Sequence, residues 1–314
     1  MTDLITDLRI AIVGFGKIAR TQHVPAIAAT RGAVLVAVAD PNVGDAGVPL
    51  FPDLQALLRD GPQFDAVALC TPPQVRSAQA AIALAANKHV LLEKPPGKSL
   101  SEIALLLTAA QAAGRTLFTA WHSRFAPAVE PARQLLAGRR IAAVDITWKE
   151  DVRVWHPGQA WIWQPGGLGV FDPGINALSI LTCILPRPVF VTRAELDIPV
   201  NCAAPIAAEL KLTDASGLPI VAAFDFRQTG PQSWDMRFET DRGLVLLSHG
   251  GARLSDGDKV LVDAGDKEYP LLYRRFVELT SEGRSDVDLT PFQLVADAFL
   301  IGRSRTVEAF EDRA

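Results

Sequence analysis

The sequence predicts an α/β protein in two parts. The first is an N-terminal doubly wound parallel sheet of Rossmann type. The second is a C-terminal α+β domain with a large, mostly antiparallel open sheet. Three observations predict this. Short apolar runs alternate with amphipathic segments as far as Ala120. After about Arg139 the texture changes to longer strand-like runs separated by turn signals. A glycine-rich turn, Gly14-Phe15-Gly16-Lys17-Ile18-Ala19, joins the first apolar run to the first amphipathic one. The chain has 314 residues, long for a single core. Residues 1–124 are assigned to the first domain and 125–314 to the second, with the last helix, Pro291 to Phe310, expected to return to the first.

In the first domain Leu8 to Val13 reads as a buried strand and Lys17 to Thr30 as a helix. Ala33 to Ala39 is a second strand, rich in Val, and Ala66 to Cys70 a third, stopped by Thr71-Pro72-Pro73. Val75 to Ala86 is helical and His89 to Leu92 a fourth strand. Leu100 to Ala113 is a helix that Gly114 closes as C-cap. Leu117 to Ala120 is the fifth strand. Ligands on such sheets bind outside the carboxyl ends of the strands, so Gly14, Asp40, Thr71, Lys94 and Trp121 are expected on one rim.

In the second domain six strands are predicted: Ile141 to Lys149, Val189 to Leu196, Ile206 to Leu212, Pro219 to Phe226, Trp234 to Thr240 and Gly243 to Leu247. Asp214-Ala215-Ser216-Gly217, Thr229-Gly230-Pro231 and Asp241-Arg242-Gly243 are the turns between them. A helix, Ile175 to Leu185, sits between the first two strands.

The net charge of −4 excludes a nucleic-acid surface, which needs a basic patch. The three cysteines are scattered and odd in number, as expected of buried apolar fillers in a reducing compartment. Met1 to Arg9 carries acids and no apolar core of a secretory signal. The longest apolar run, Val75 to Ala86, is interrupted by Arg76, Ser77 and Gln79 and is too short for a bilayer. A soluble, cytoplasmic protein without membrane or nucleic-acid partners is expected. The five histidines lack metal-ligand spacing, so no metal is expected either.

The chemistry is carried by a few segments. In the turn Gly14 to Ala19, Gly14 permits the bend and Gly16 lets a pyrophosphate approach the backbone. Ala19 packs the helix closely, and the helix start faces the phosphates. Phe15, Lys17 and Ile18 complete this cofactor turn. Asp40 ends the second strand, where a carboxylate accepts hydrogen bonds from ribose hydroxyls and repels a 2′-phosphate. NAD is therefore expected, with NADP possible. Thr71 and Pro72 form a rigid turn bordering the cofactor. Glu93-Lys94-Pro95 ends the fourth strand, with Glu93 anchoring the neighbourhood of Lys94. Asp172 and Asn176 stand four apart at the start of a helix and face the same way. Asp172 also reads as a helix N-cap, with Pro173 at the first helical position. Trp148 to Trp163 holds four of the six tryptophans in a polar stretch. Indole faces beside hydrogen-bonding groups suit sugar rings. Trp155 and Trp234 are the better sugar contacts, and Trp161 and Trp163 the packing residues. His122, after the fifth strand, reads equally as a rim ligand or a structural histidine.

These segments together resemble the Gfo/Idh/MocA oxidoreductase family. The carrying strings are Gly14 to Ala19, Glu93-Lys94-Pro95 and Gly166-Gly167-Leu168-Gly169-Val170-Phe171-Asp172-Pro173-Gly174-Ile175-Asn176. Further strings, Trp148-Lys149-Glu150-Asp151-Val152-Arg153 and Trp155-His156-Pro157-Gly158-Gln159, resemble those of bacterial dehydrogenases acting on C1 of L-arabinose and D-galactose. The resemblance implies that Lys94, Asp172 and Asn176 form the catalytic set. It places Glu150, His122, Trp155 and Trp234 with them on a monosaccharide. It also implies self-association through the second sheet. One departure is Asn176, which stands where the family usually has His. An amide takes no proton, which leaves Lys94 or Asp172 as the base. A second departure is Asp40-Pro41, where NADP-accepting arabinose enzymes carry Ser-Arg. The rival readings are an oxidoreductase acting on an inositol or another polyol, and a non-catalytic sugar sensor.

Overall fold

The computed structural model describes residues 7–42, 44–265 and 267–311. Most of the N-terminal stretch read above for a secretory signal lies outside them. The chain divides into two compact units, Met1–Trp121 with Tyr269–Asp288, and His122–Glu268 with Leu289–Ala314.

The first unit is built on a six-stranded parallel sheet. Its strands are β1 (Leu8–Val13), β2 (Ala33–Ala39), β3 (Leu50–Phe51), β4 (Ala66–Leu69), β5 (His89–Glu93) and β6 (Leu117–Ala120). Their order, β3-β2-β1-β4-β5-β6, is that of the dinucleotide-binding fold. The interior strands are largely apolar because helices cover both faces; β4, for example, is buried at all four residues. The edge strand β3 was not expected: two residues give no periodicity to read.

The crossover helices are α1 (Val24–Ala29), α2 (Leu54–Asp60), α3 (Pro73–Ala85) and α4 (Leu100–Ala113). Asp53 and Ser99 cap α2 and α4 through their side chains, and Gly114 closes α4 in the left-handed region. The helix expected over Lys17–Thr30 is widened to π geometry at Ala19–His23, where the Val24 N–H reaches back to Ala19 O. Pro25 explains the widening, since it lacks the N–H that an α-turn there would need.

The segment 269–288 belongs to this unit. Tyr269, Leu272, Tyr273, Phe276 and Leu279 are buried, and Phe276 stacks on Phe118 at 5.9 Å between ring centroids. Asp286 pairs beside β6, donating to Leu117 O and accepting from the Thr119 N–H, which covers the sheet edge.

The second unit holds a nine-stranded sheet. Its strands are β7 (Ile141–Lys149), β8 (Val189–Pro199), β9 (Ala207–Asp214), β10 (Ile220–Asp225), β11 (Ser233–Thr240), β12 (Gly243–Ser248), β13 (Arg253–Asp256), β14 (Lys259–Asp263) and β15 (Arg303–Val307). The order is β14-β13-β12-β11-β7-β10-β9-β8-β15. All pairs are antiparallel except β7 with β10 and β8 with β15. Helices α5 (Val129–Ala137), α6 (Val152–Trp155), α7 (Phe171–Ile184) and α9 (Thr290–Ile301) share the unit, while α8 (Glu268–Ser281) carries the chain back to the first. Helix α7 lies on the sheet, with Phe171 5.7 Å from the Phe224 ring and 5.5 Å from Phe299.

The C-terminal expectation is corrected. Helix α9 ends at Ile301, and Arg303–Val307 is a strand rather than the end of a helix. Both lie in the second unit, and the returning segment is 269–288. Arg-Ser-Arg-Thr-Val carries no apolar face, so an exposed edge strand left no pattern to read.

Candidate active site

Gly14, Asp40, Thr71 and Lys94 follow β1, β2, β4 and β5, so the parallel sheet puts them on one rim. Gly14 has φ +85°, and a Cβ there would stand 2.8 Å from the Thr71 nitrogen; only glycine fits this crossing. A Cβ on Gly16 would meet no protein atom within 4 Å, so its backbone is open to a ligand. Asp40 holds this loop, accepting from the Phe15 N–H through Oδ2 at 2.7 Å and from the Asn42 N–H through Oδ1 at 2.8 Å. Phe15 itself is buried, and Arg20 donates to its carbonyl at 2.9 Å. Lys17 and Ile18 are exposed at the helix start. An open glycine turn, a helix start and a carboxylate at the next strand end fit the adenosine and pyrophosphate of a dinucleotide.

Lys94 is set from behind by buried polar groups. Arg76, on α3 and 3% exposed, donates to the carbonyl oxygens of Glu93, Pro95 and Thr71. It thereby fastens the turns that carry Thr71 and Lys94 to one guanidinium. Pro72 is the N-cap residue of α3, and Thr71 Oγ1 donates to Gln79 Oε1 at 2.5 Å. The Lys94–Pro95 peptide is cis. The Glu93 carboxylate accepts from the Lys94 N–H at 2.7 Å and from Tyr269 Oη at 2.6 Å, and lies 2.9 Å from His23 Nε2. His23 Nδ1 is 2.7 Å from Tyr273 Oη. Burial opposes a charge on His23, but the Cys70 sulfur and Glu93 outweigh it and push the His23 pKa up to about 10. Burial, with Cys70 and Glu93, drives the Tyr273 hydroxyl well above its ordinary range.

Sequence reasoning missed Arg76, His23, Tyr269 and Tyr273. An arginine and a histidine inside apolar helical runs were the available signals for two of them. The tyrosines lie so far along the chain that only the fold brings them to Glu93.

The second unit contains Glu150, His156, Asp172, Asn176, Trp155 and Trp234. Asp172 is 2% exposed and is the second residue of α7. The N-cap is Val170, which makes no side-chain cap bond, so the capping reading of Asp172 is corrected. Helix α7 begins earlier than Asp-Pro suggests because Pro173 is tolerated within the first turn. Asn176 is one turn further on, and its buried Oδ1 has no hydrogen-bond partner among the described residues. Gly169, just before α7, has φ +55° and passes against Pro205; a Cβ would stand 2.2 Å from that residue's oxygen.

His156 joins Asp172 to Glu150. Its Nε2 lies 3.1 Å from Glu150 Oε1 and its Nδ1 3.7 Å from Asp172 Oδ2. Trp234 Nε1 donates to Glu150 Oε2 at 2.9 Å. Trp155 meets Trp234 edge-on, 5.1 Å between centroids, and is 42% exposed. Trp163 packs on Phe226 and Phe310. His122 opens a 3₁₀ turn, and its Nδ1 is hydrogen-bonded to Glu268 Oε2. Among the described residues no group of His, Cys, Asp and Glu is arranged to hold a metal ion, and no helix is long and apolar enough to cross a membrane.

A rim for a dinucleotide in the first unit and a carboxylate–imidazole–indole cluster in the second are the parts of a nucleotide-dependent oxidoreductase. The model of the Gfo/Idh/MocA oxidoreductases, NAD-binding Rossmann fold, matches residues 8–121. The chain is 49% identical to a galactose 1-dehydrogenase of Pseudomonas fluorescens, over 97% of this chain and 99% of that one. A D-galactose-1-dehydrogenase from Rhizobium etli is 54% identical and superposes with a TM-score of 0.93 over 98% of both chains. A 3-ketoreductase from Actinomadura kijaniata in complex with NADP shares the fold, with a TM-score of 0.83 at 18% identity, over 98% of this chain and 100% of that one. The chain belongs to the Gfo/Idh/MocA oxidoreductase family, and its N-terminal unit is an NAD(P)-binding Rossmann domain.

Proposed function

We propose that the protein is an NAD-dependent aldose 1-dehydrogenase that oxidises the anomeric carbon of D-galactose, L-arabinose and D-fucose to the lactone. The observation that carries this reading is the nearly full-length identity to galactose 1-dehydrogenases. The indole pair beside Glu150, with Asp172 at the next imidazole nitrogen, supports it.

Bound NAD supplies the acceptor for the C1 hydrogen and its electron pair. Gly14 to Ile18 and Asp40 hold it, with Thr71, Pro72 and Glu93 shaping the rim. Lys94 or Asp172 removes the proton from the anomeric hydroxyl as C1 becomes a carbonyl carbon. Asn176 accepts a hydrogen bond from a sugar hydroxyl through its unpartnered Oδ1. Trp155 and Trp234 stack on the ring, and Glu150 and His122 read further hydroxyls. Self-association uses the open face of the nine-stranded sheet, where Phe190 and Val221 are exposed at 50% and 42%.

The test is NAD and NADP reduction over D-galactose, L-arabinose, D-fucose, D-glucose and D-xylose. The first three share the axial C4 hydroxyl. The C4 epimers D-glucose and D-xylose leave a buried polar partner unpaired, a loss of about 1–3 kcal/mol, or roughly 5- to 150-fold in kcat/KM. Equal activity on D-glucose or D-xylose would overturn the galacto-configured pocket. No activity on any of the five would overturn the dehydrogenase.

A further inference from the structure

The imidazole of His156 lies between two carboxylates. Its Nε2 is 3.1 Å from Glu150 Oε1 and its Nδ1 3.7 Å from Asp172 Oδ2. Both carboxylates are almost closed to water, with side-chain exposures of 6% for Glu150 and 3% for Asp172, against 16% for His156. The imidazole is therefore the member of the row most open to solvent. Three elements fix it. Glu150 directly follows β7 and is held on its other oxygen by Trp234 Nε1 from β11. Asp172 comes from α7. Phe226, beyond β10, sets its ring 5.6 Å from the imidazole and brings no charge. Asn176, the neighbour of Asp172 on α7, is an amide and holds no proton.

We propose that His156 is the proton relay of this enzyme, taking the substrate's proton from Asp172 and delivering it to water while Glu150 fixes its ring. The proposal rests on the aldose dehydrogenase reading and assigns the base to Asp172. In the tautomer that donates Nε2–H to Glu150, the lone pair of Nδ1 is on the side of Asp172. In the reaction the anomeric O–H bond breaks and its proton passes to an Asp172 oxygen. The C1–H electron pair leaves with its hydrogen to NAD, and the C1–O double bond forms. The Asp172 proton then moves to His156 Nδ1, and the imidazolium loses a proton to bulk water. This restores the carboxylate and the neutral ring for the next turnover. The gap of 3.7 Å is beyond direct hydrogen-bond reach, and it closes, or is bridged by one water, when substrate is bound.

The experiment uses the full-length His156→Ala protein with D-galactose and NAD, at fixed pH and ionic strength, with imidazole varied in the assay. The relay requires kcat to fall by about 10²-fold with little change in KM for galactose, the usual size of a proton-transfer contribution. It also requires kcat to recover at least about tenfold as imidazole is added, with no response from the wild type, because free imidazole replaces a missing relay but not a missing packing contact. A fall in kcat that imidazole does not relieve, or a fall of less than about threefold, would overturn the relay while leaving the dehydrogenase standing. A wild type inactive on all five aldoses would overturn both. If His156→Ala fails to fold, as judged by thermal melting, His156→Gln carries the same test.

Discussion

Asp40 has two tasks, which makes its substitution informative. Its oxygens accept from the Phe15 and Asn42 N–H groups, so the carboxylate that would meet the ribose also tethers the glycine turn. Asp40→Ser with Pro41→Arg should raise the NADP-to-NAD ratio of kcat/KM by roughly tenfold or more, the worth of one charge-assisted contact of about 1.5 kcal/mol. Steady-state kinetics with both cofactors check this, and a wild type that already prefers NADP would count against the role of Asp40. Lys94→Ala and Asp172→Ala should each lower kcat by roughly 10² or more with NAD binding nearly intact, and Asn176→Ala should act mainly on KM. A Lys94→Ala variant with near-normal turnover would remove Lys94 from the centre. His23 gives a pH signature. Its folded pKa, near 10, lies above that of a free histidine, so its contribution to stability is fully present below pH of about 6.5 and is lost as pH rises through 10. The melting temperature of His23→Asn should therefore approach that of the wild type between those limits, and parallel curves would contradict the pairing with Glu93.

At the scale of elements, the alternation of apolar runs and helical segments made the first sheet readable. So did the turn residues of the second. What stayed hidden had no local signature. β3 is two residues long, β15 is polar but for Val307, and β13 and β14 are short and largely unburied. The same divide runs through the candidate site. Residues in dense motifs, such as Lys94 and Asp172, could be picked out from their strings. His156 has no such signature of its own, because its partner Glu150 is set by the end of a strand and Asp172 by a helix start. Of the signature glycines, Gly169 is explained by packing alone: Gly169→Ala would force a side chain into the left-handed region and against Pro205. The strain costs about 1–3 kcal/mol and the clash adds to it. Urea unfolding should show a lower midpoint with an unchanged slope, and an unaltered midpoint would mean that the Pro205 loop gives way freely.

At the scale of the whole molecule, the first unit is discontinuous in sequence. Its residues Tyr269, Leu272, Tyr273, Phe276 and Leu279 are each no more than 2% exposed. Burial of five such side chains contributes on the order of 10 kcal/mol, comparable to the whole stability of a domain. A fragment ending at residue 124 should therefore bind a hydrophobic dye and show no cooperative melt, even though it holds every cofactor residue named here. A fragment that melts cooperatively would show that 269–288 is dispensable.

The same discontinuity bears on biosynthesis. The ribosome emits the polypeptide from its N-terminus, and an early-emerging domain ordinarily folds while the rest is still being made. Here Glu93 must wait for the Tyr269 hydroxyl, and β6 for Asp286, until about 170 further residues have been added. For most of translation the nascent nucleotide-binding half carries an uncovered apolar flank and an open sheet edge. A chain stopped before residue 288 should therefore be degraded faster in cells than the full-length protein, as a pulse-chase measurement would show, rather than persist as a half-active enzyme.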